Sequence, residues 1–193
     1  MIQDSIEIRP AQPGDAGVAA MLLYSAYTHS HVTYPPREAS EGWVERLQAF
    51  FRQDGNRFSY QHIQVAGHGA DVVGLVLSFG GRDEPRLNAA IGPWLEREAE
   101  DDEWYVDALA VLENWSRQGI GMRLMQTAER QARQHSYAEI ALNVALGNTE
   151  AVNLYTRLHY IVTRETVIYG RPHVRMVKTL KHGDQGSGAA GSA

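Results

Sequence analysis

Residues 105–121 have the sequence YVDALAVLENWSRQGIG, and they decide how the chain is interpreted. The first seven are mostly apolar, with Asp107 as their single charged residue, which is typical of a buried β-strand. The loop after them carries Gly119 and Gly121 directly before a helical pattern at residues 120–132. Glycine has no Cβ to hold an anion away from the backbone, and a helix N-terminus supplies unpaired N–H groups with partial positive charge. The stretch therefore predicts a pyrophosphate site.

Two common phosphate-binding motifs do not fit this loop. A dinucleotide fingerprint needs a third glycine where Leu124 stands, and a P-loop needs a lysine where Met122 stands. Two interpretations remain. The glycines either form a phosphate loop of another kind or serve only close packing between strand and helix.

The composition favours one globular domain and excludes several classes of protein. The chain has 193 residues, of which 44% are hydrophobic and 21% charged. It has no cysteine, which excludes a disulfide scaffold, a thiolate zinc site and a cysteine acyl-enzyme. A net charge of −5 argues against a broad basic face for nucleic acid. The N-terminus lacks a signal peptide and no segment is apolar enough to span a membrane, so we expect a cytoplasmic protein.

The periodicity predicts a mixed α/β (α+β) domain around one sheet, over residues 1–181. The tail at residues 182–193 is Gly, Ser and Ala with almost nothing to bury, and we expect it to be disordered. The predicted helices cover residues 15–26, 43–51, 94–100, 120–132 and 148–158. The predicted strands cover residues 6–8, 60–65, 72–79, 104–111, 139–144, 160–166 and 174–179.

Three blocks of the sequence resemble the GNAT family of N-acetyltransferases. In the first block, Leu109-Ala110-Val111 is similar to the end of a family strand with the pattern hydrophobic-x-Val. The residues Ser116-Arg117-Gln118-Gly119-Ile120-Gly121 are similar to the family pattern Arg/Gln-x-x-Gly-x-Gly/Ala that follows this strand. Its Asn-x-x-Ala-x-x-Leu-Tyr block, followed by Gly-Phe/Tyr, is similar to Asn148, Ala151, Leu154, Tyr155, His159 and Tyr160. The opening Ile8-Arg9-Pro10-Ala11 and Asp15-Ala16 are similar to its first strand and turn. The resemblance extends from about residue 6 to residue 179.

The resemblance implies a single domain with a mixed, mostly antiparallel sheet whose central strands splay, flanked by helices. It implies acetyl-CoA as co-substrate without a metal, and transfer of the acetyl group to a primary amine of a small molecule or peptide in a ternary complex. The alternative is the same fold holding CoA without turnover. The cofactor-binding positions implied are Leu109, Ala110, Val111, Ser116, Arg117, Gln118, Gly119, Ile120, Gly121, Met122, Asn148 and Tyr155.

The chain departs from the family pattern at two positions. Ser116 stands where Arg or Gln is usual, with Arg117 one place late, so a side-chain contact to phosphate is less expected than the backbone cradle. His159 replaces a glycine, which predicts a histidine in the left-handed conformation.

The resemblance also suggests roles for individual side chains, each with an alternative. Tyr155 is the candidate general acid for the departing thiolate, or a tyrosine that only packs under a helix. Asn148 binds the pantetheine or pyrophosphate arm, caps a helix, or does both. By strand periodicity Asp107 shares the face of Leu109, where it serves as base for an ammonium substrate or as a structural hydrogen-bond hub.

The loop after the first helix is where the family usually builds its acceptor pocket. His29, His31 and Tyr34 lie there, but no third ligand accompanies the two histidines, so no metal site is expected. The expected partners are acetyl-CoA and an amine, with neither nucleic acid nor membrane, and a homodimer is left open.

Overall fold

The computed structural model describes residues 6–29 and 42–180. His31, Tyr34 and the tail at residues 182–193 therefore lie outside the described residues. The helices are α1 (Ala16–His29), α2 (Trp43–Arg52), α3 (Glu84–Ala89), α4 (Ile120–Gln134) and α5 (Thr149–Arg157). The strands are β1 (Glu7–Pro10), β2 (Ile63–His68), β3 (Asp71–Gly80), β4 (Glu103–Val111), β5 (Glu139–Ala145), β6 (Ile161–Ile168) and β7 (Arg171–Thr179).

The strands form one seven-stranded sheet in the order β1-β2-β3-β4-β5-β7-β6. All neighbouring pairs are antiparallel except β4 and β5, which are parallel. The ladder between β4 and β5 covers only Glu103 to Val106 against Glu139 to Leu142, and beyond Val106 the two strands separate. The predicted mixed sheet with splayed central strands is confirmed.

Helices cover both faces of the sheet and enclose two apolar cores. Helices α1 and α2 pack on one face, and α4 and α5 pack on the other. In α4, Ile120, Leu124, Ala128 and Ala132 recur every four residues, and all four are buried. None of the helices in the described residues is long and apolar enough to cross a membrane.

The predicted helix at residues 94–100 is wrong: that segment has no helix, and the short helix α3 lies earlier, at Glu84–Ala89. Pro85 stands in the first turn of α3, where its fixed φ favours a helix start. The Glu84 carboxylate is fully buried and accepts hydrogen bonds from the backbone N–H groups of Glu98 and Ala99. Because a distant side chain satisfies these backbone donors, the segment needs no helical hydrogen bonds.

A β-bulge corrects the predicted face of Asp107. Leu77 pairs with Ala108 and Ser78 pairs with Val106, so Asp107 is the extra residue on β4. After the bulge the faces exchange, and Asp107 points toward α1 while Leu109 packs with the core under α4. The prediction that the two residues share a face, which assumed an unbroken period of two, is wrong.

Candidate functional site

The separation of β4 from β5 opens a cavity of about 120 Å³ in the middle of the sheet. The residues that line it and matter for its chemistry are Tyr27, Glu98, Asp107, Leu109, Asn143 and Tyr155. A larger surface groove of about 510 Å³ lies between β1 and α4 and contains no residue of β4 or α5. The gap between the splayed strands is therefore the site where the sequence motifs meet.

The backbone of β4 presents hydrogen-bond donors to this gap. The Leu112 N–H donates to the Val73 carbonyl of β3 over 2.9 Å. Backbone groups alternate sides along a strand, so the N–H groups of Leu109 and Val111 point away from β3 and into the gap. The β5 ladder has already ended at Val106, and it leaves these donors available for a ligand.

The loop after β4 leads the chain into α4 through two residues of positive φ. Arg117 has φ of 60° and Gly119, the N-cap of α4, has φ of 79°. A Cβ at Gly119 would meet only the Met122 Cε, at 3.8 Å, and a Cβ at Gly121 would lie 3.6 Å from Leu154 of α5. The first N–H groups of α4 have no partner within the helix, as at any helix start. The loop is therefore an open backbone cradle at the end of the gap.

The polar side chains of the loop point outward. The Arg117 side chain is 87% exposed and lies 3.9 Å from Glu150. Ser116 ends the short 3-10 turn at Glu113–Trp115, and Gln118 donates to the backbone carbonyl of Asn114 over 3.3 Å. The structure thus places the sequence-predicted loop residues together, with backbone rather than side-chain donors facing the cradle.

Tyr155 lies on α5 with only 8% of its surface exposed, and it lines the cavity. Its hydroxyl makes no hydrogen bond to any residue in the described part of the chain. Burial raises the pKa of Tyr155 to about 12, so the phenol keeps its proton at any physiological pH. The arrangement leaves a protonated donor directed at whatever occupies the gap.

Two more residues of the second motif, Asn148 and His159, have the local conformations that the sequence analysis indicated. The Asn148 Oδ1 accepts from the Ala151 N–H over 3.1 Å, so Asn148 is the N-cap of α5, and it also lines the cavity. His159 has φ of 68°, which confirms the left-handed conformation predicted for it.

Both carboxylate oxygens of Asp107 are occupied. Arg57 donates its Nε to Oδ2 over 2.8 Å and its Nη2 to Oδ1 over 2.6 Å. The Tyr27 hydroxyl donates to Oδ2 over 2.8 Å, and the Asp107 side chain is only 1% exposed. A bidentate guanidinium pair is a strong and geometrically fixed contact. These contacts are those of the hydrogen-bond hub, the structural alternative for this residue.

Sequence reasoning missed two members of the site, Arg57 and Glu98. Arg57 is 1% exposed and also donates to Glu84 over 3.1 Å and to Glu98 over 2.8 Å. It belongs to no motif, and Glu98 lies in a segment crowded with acidic residues. The only available signal was Asp107 itself, because a carboxylate in an apolar strand requires a buried cation.

Burial raises the pKa of Glu98 to about 7, against the opposing charge of Arg57 and with further upward contributions from Asp107 and Glu84. The Tyr105 hydroxyl donates to the Glu98 Oε2 over 2.9 Å, and the Asn143 amide donates to the Tyr105 oxygen over 3.0 Å. Glu98 is therefore a carboxyl group that changes charge near neutral pH, at the wall of the cavity.

The remaining sequence candidates are the residues of the loop after the first helix. His29 is the last residue of α1, while His31 and Tyr34 lie outside the described residues. Within residues 6–29 and 42–180, no group of three or more His, Asp or Glu side chains is arranged to hold a metal ion.

Solved structures with the same fold include several acetyltransferases. One acetyltransferase crystal structure superposes with a TM-score of 0.76 at 24% identity, over 91% of this chain and all of that chain. An N-acetyltransferase from Staphylococcus aureus Mu50 gives a TM-score of 0.72 at 22% identity, over 89% of this chain and all of that one. YncA from Salmonella typhimurium, solved with its cofactor acetyl-CoA, gives 0.63 at 16% identity, over 92% and 95% of the two chains. At these identities the likeness shows the fold.

Sequence comparisons carry the assignment further. Comparison with curated protein sequences gives no match. The model of the acetyltransferase (GNAT) family, however, matches residues 22–160, which include β4, the glycine loop and α5. The chain therefore belongs to the acetyltransferase (GNAT) family.

Proposed function

We propose that this protein is an N-acetyltransferase, which moves the acetyl group of acetyl-CoA to a primary amine of a small molecule or peptide in a ternary complex. The observation that carries this proposal is the gap between β4 and β5. Backbone donors of Leu109 and Val111 face it from one side, and the unpartnered Tyr155 hydroxyl faces it from another.

The residues present fit acetyl-CoA. A pantetheine arm is an extended chain with amide groups, and it would bind the exposed edge of β4 as an added strand. The pyrophosphate would lie at the N-terminus of α4, where Gly119 and Gly121 leave the backbone open. Acetyl-CoA supplies an activated acyl group as a thioester, and the solved relative from Salmonella typhimurium holds the same molecule.

Two groups of the chain would stabilise the charges that develop during transfer. The Val111 N–H would donate to the thioester oxygen, on which negative charge grows as the amine attacks. Tyr155 would donate to the sulfur of departing CoA. A thiol has a pKa of about 8.5, below the raised pKa of Tyr155, so Tyr155 acts first as a hydrogen-bond donor to the thiolate. As the bond from carbon to sulfur breaks, the Tyr155 proton passes to the sulfur and a proton lost by the amine replaces it on the phenol oxygen, so CoA leaves as the thiol.

Asp107 has a positioning role in this proposal. Its carboxylate fixes the Arg57 guanidinium and the Tyr27 hydroxyl at the edge of the cavity. With three donors already on its two oxygens, it is poorly placed to take a proton from a substrate.

The test is a panel of amines incubated with acetyl-CoA, with free thiol release as the measurement and acetyl-CoA alone as the control for hydrolysis. Amine-dependent release is the expected result. Binding of CoA without release for any amine would instead support a non-catalytic CoA-binding module of the same fold.

A further inference from the structure

The groove of about 510 Å³ between β1 and α4 lies apart from the gap in the sheet. Strands β2 and β3 lie between β1 and β4, and the groove shares no lining residue with the cavity. One side of the groove is the start of the sheet, at residues 6–8. The other side is one flank of α4, formed by Arg123, Gln126, Thr127 and Arg130.

The backbone of β1 presents hydrogen-bonding groups to this groove. The Ala11 N–H donates to the Ile63 carbonyl over 3.0 Å, so the main-chain groups of Ala11 point toward β2. Backbone groups alternate sides along a strand, and those of Ile8, three positions earlier, therefore point away from β2. The Ile6 carbonyl lies on the same side and accepts a hydrogen bond from the Arg123 Nη2 over 2.9 Å. This edge of β1 is thus within reach of α4.

The two outer strands of the sheet differ as sites for pairing. The ladder of β6 shifts register between Val162 and Arg164, and such an irregularity hinders the addition of a further strand. The ladder of β1 runs without a register shift. However, β1 has only four residues and ends at Pro10, which has no N–H. The edge of β1 therefore suits a short extended segment rather than a long strand.

The flank of α4 that lines the groove carries positive charge without an acidic partner. Arg123 and Arg130 are exposed, and within the described residues each bonds a neutral oxygen and neither forms an ion pair. Elsewhere on α4, Glu129 binds Lys178 over 2.7 Å and lies 3.9 Å from Arg133. The charges of α4 are balanced there and left open toward the groove.

Among the described lining residues, Glu7 is the acidic one, and it belongs to the other face of the sheet. Side chains alternate along a strand, so Glu7 lies with Arg9 on the face opposite Ile6 and Ile8. Ile6 and Ile8 pack against the core under α4. A segment paired with β1 would direct every second side chain toward the same face, and these side chains would meet the two arginines.

We propose that this groove is a docking site for a short, extended, acidic segment of a partner protein. The segment would add to the edge of β1, bond the main chain of Ile8, and direct alternate carboxylates toward Arg123 and Arg130. In such strand addition the main-chain bonds supply affinity and the alternate side chains supply specificity. The inference does not depend on acetyl transfer, because the groove and the gap share no lining residue.

Charge favours this occupant over two others. If β1 paired with β1 of a second copy, Arg123 and Arg130 of both copies would lie on the same face of the joined sheet. Like charges placed together across an interface cost free energy, and no acid of the groove lies on that face. Two arginines on a protein of net charge −5 also do not form the broad basic face that nucleic acid requires.

The first experiment measures fluorescence anisotropy of a labelled peptide of about eight residues in which glutamate alternates with threonine. The wild-type protein should bind it with micromolar affinity, and binding should weaken with salt because the arginines are exposed. Arg123→Gln and Arg130→Gln should each weaken binding by about 3- to 5-fold, and the double variant by about 10-fold. Equal affinity of the wild type and the double variant would overturn the inference.

Two controls separate strand addition from general attraction between charges. Arg133→Gln, on the same helix but outside the groove, should bind like the wild type. A peptide with proline at every threonine position has the same charge but lacks main-chain donors, and it should bind more weakly by about 5-fold or more. If both peptides bind equally, the groove is a site for anions and strand addition is wrong.

A charge exchange gives a result that loss of folding cannot produce. The double variant Arg123→Glu, Arg130→Glu should lose the glutamate peptide and gain a peptide in which lysine alternates with threonine. The wild type should not bind the lysine peptide. If the exchanged variant melts like the wild type but does not gain the lysine peptide, the two arginines do not set the specificity of the groove and the proposal fails.

Ile8→Pro removes the main-chain donor and leaves both arginines in place. Because the Ile8 N–H points away from β2, the ladder should survive, which the melting temperature checks. The glutamate peptide should bind at least about 5-fold more weakly. Unchanged binding to folded Ile8→Pro would contradict strand addition. In sedimentation velocity, a wild-type dimer that Ile8→Pro converts to a monomer would show that a second copy occupies the edge, and it would overturn the proposed partner.

Discussion

Tyr155 is almost fully buried, yet its hydroxyl has no partner among the described residues. Tyr155→Phe should therefore leave the melting temperature nearly unchanged, because no hydrogen bond to a described residue is lost and the side chain lines the cavity. It should leave CoA affinity unchanged and lower the turnover number by on the order of 10²-fold. The measurements are CoA binding by calorimetry and steady-state kinetics with the best amine.

Tyr160→Phe is the control for this prediction. The Tyr160 ring lies 5.9 Å from that of Tyr155, but Tyr160 does not line the cavity. The control should keep full turnover. An unchanged turnover number in Tyr155→Phe at every pH would return Tyr155 to a packing role.

The raised pKa of Glu98 also predicts how the stability of the protein depends on pH. Its pKa is raised from 4.5 to about 7 in the folded protein, so the native state holds the proton more tightly than the unfolded chain. The native state consequently loses stability as the pH rises through this window. Glu98→Gln removes that loss, and its stability relative to the wild type should increase by about 3 kcal/mol between about pH 4 and about pH 8.

Urea unfolding of both proteins across this pH range measures the difference. Glu100→Gln should show the opposite sign, because the hydrogen bond from Arg164 lowers the pKa of Glu100 and stabilises the native state as that carboxyl ionises. A relative stability of Glu98→Gln that does not change with pH would mean that the Glu98 carboxyl is not destabilised by burial.

Asp107→Asn should act mainly on stability. The substitution removes the carboxylate that accepts two hydrogen bonds from the buried Arg57 guanidinium, and removing one member of a buried pair costs about 3 kcal/mol. The residual activity should keep the wild-type pH profile. Asp102→Asn, at an exposed position, is the control. A stable variant whose rate falls near neutrality and recovers at high pH would instead identify Asp107 as the base.

At the scale of elements, the loop between β4 and α4 gives a prediction with a matched control. Gly119 and Gly55 have φ of 79° and 75°, so alanine should strain both positions by about 1 kcal/mol. A Cβ at Gly55 meets nothing within 4 Å, whereas one at Gly119 enters the cradle at the start of α4. Both variants should lose similar stability, but only Gly119→Ala should weaken CoA binding, by about 10-fold or more.

Calorimetric titration with CoA tests this prediction. If Gly119→Ala binds CoA as tightly as Gly55→Ala does, then the loop does not receive the pyrophosphate.

The elements that the sequence predicted well are those with long, unbroken periodicity or a local motif. The apolar residues of α4 recur every four positions, and the hairpin of β2 and β3 is bounded by a glycine turn. The motif residues Asn148 and His159 also stand where local backbone chemistry requires them. In each case neighbouring residues determine the structure.

What the sequence could not predict depends on partners far away in the chain. The bulge at Asp107 breaks the period of two, and the carboxylate is then held by Arg57, 50 residues earlier. Residues 94–100 form no helix, and the Glu84 carboxylate accepts hydrogen bonds from two backbone N–H groups in this segment. Glu98 acquires its raised pKa only from this assembly, so no pattern near residue 98 could reveal it.

At the scale of the whole molecule, the site lies where two halves of one sheet meet. Strands β1 to β4 form one half and β5 to β7 the other, and their shared ladder is only four residue pairs long. Side chains join the halves below the gap, through Asn143 with Tyr105 and through Arg164 with Glu100. A ligand in the gap would contact both halves of the sheet where β4 and β5 no longer pair.

The last prediction follows from this arrangement. CoA should raise the melting temperature, because it binds the native state and bridges the two halves of the sheet. At about 100 times its dissociation constant, CoA would stabilise the native state by about 2.7 kcal/mol, or roughly 5–10 °C for a domain of this size. ADP shares the pyrophosphate but lacks the arm that would pair with β4, so at equal concentration it should give a much smaller shift. An ADP shift as large as that of CoA would indicate a nucleotide-binding protein that uses only the glycine loop, and no shift with either ligand would contradict the assignment of the gap.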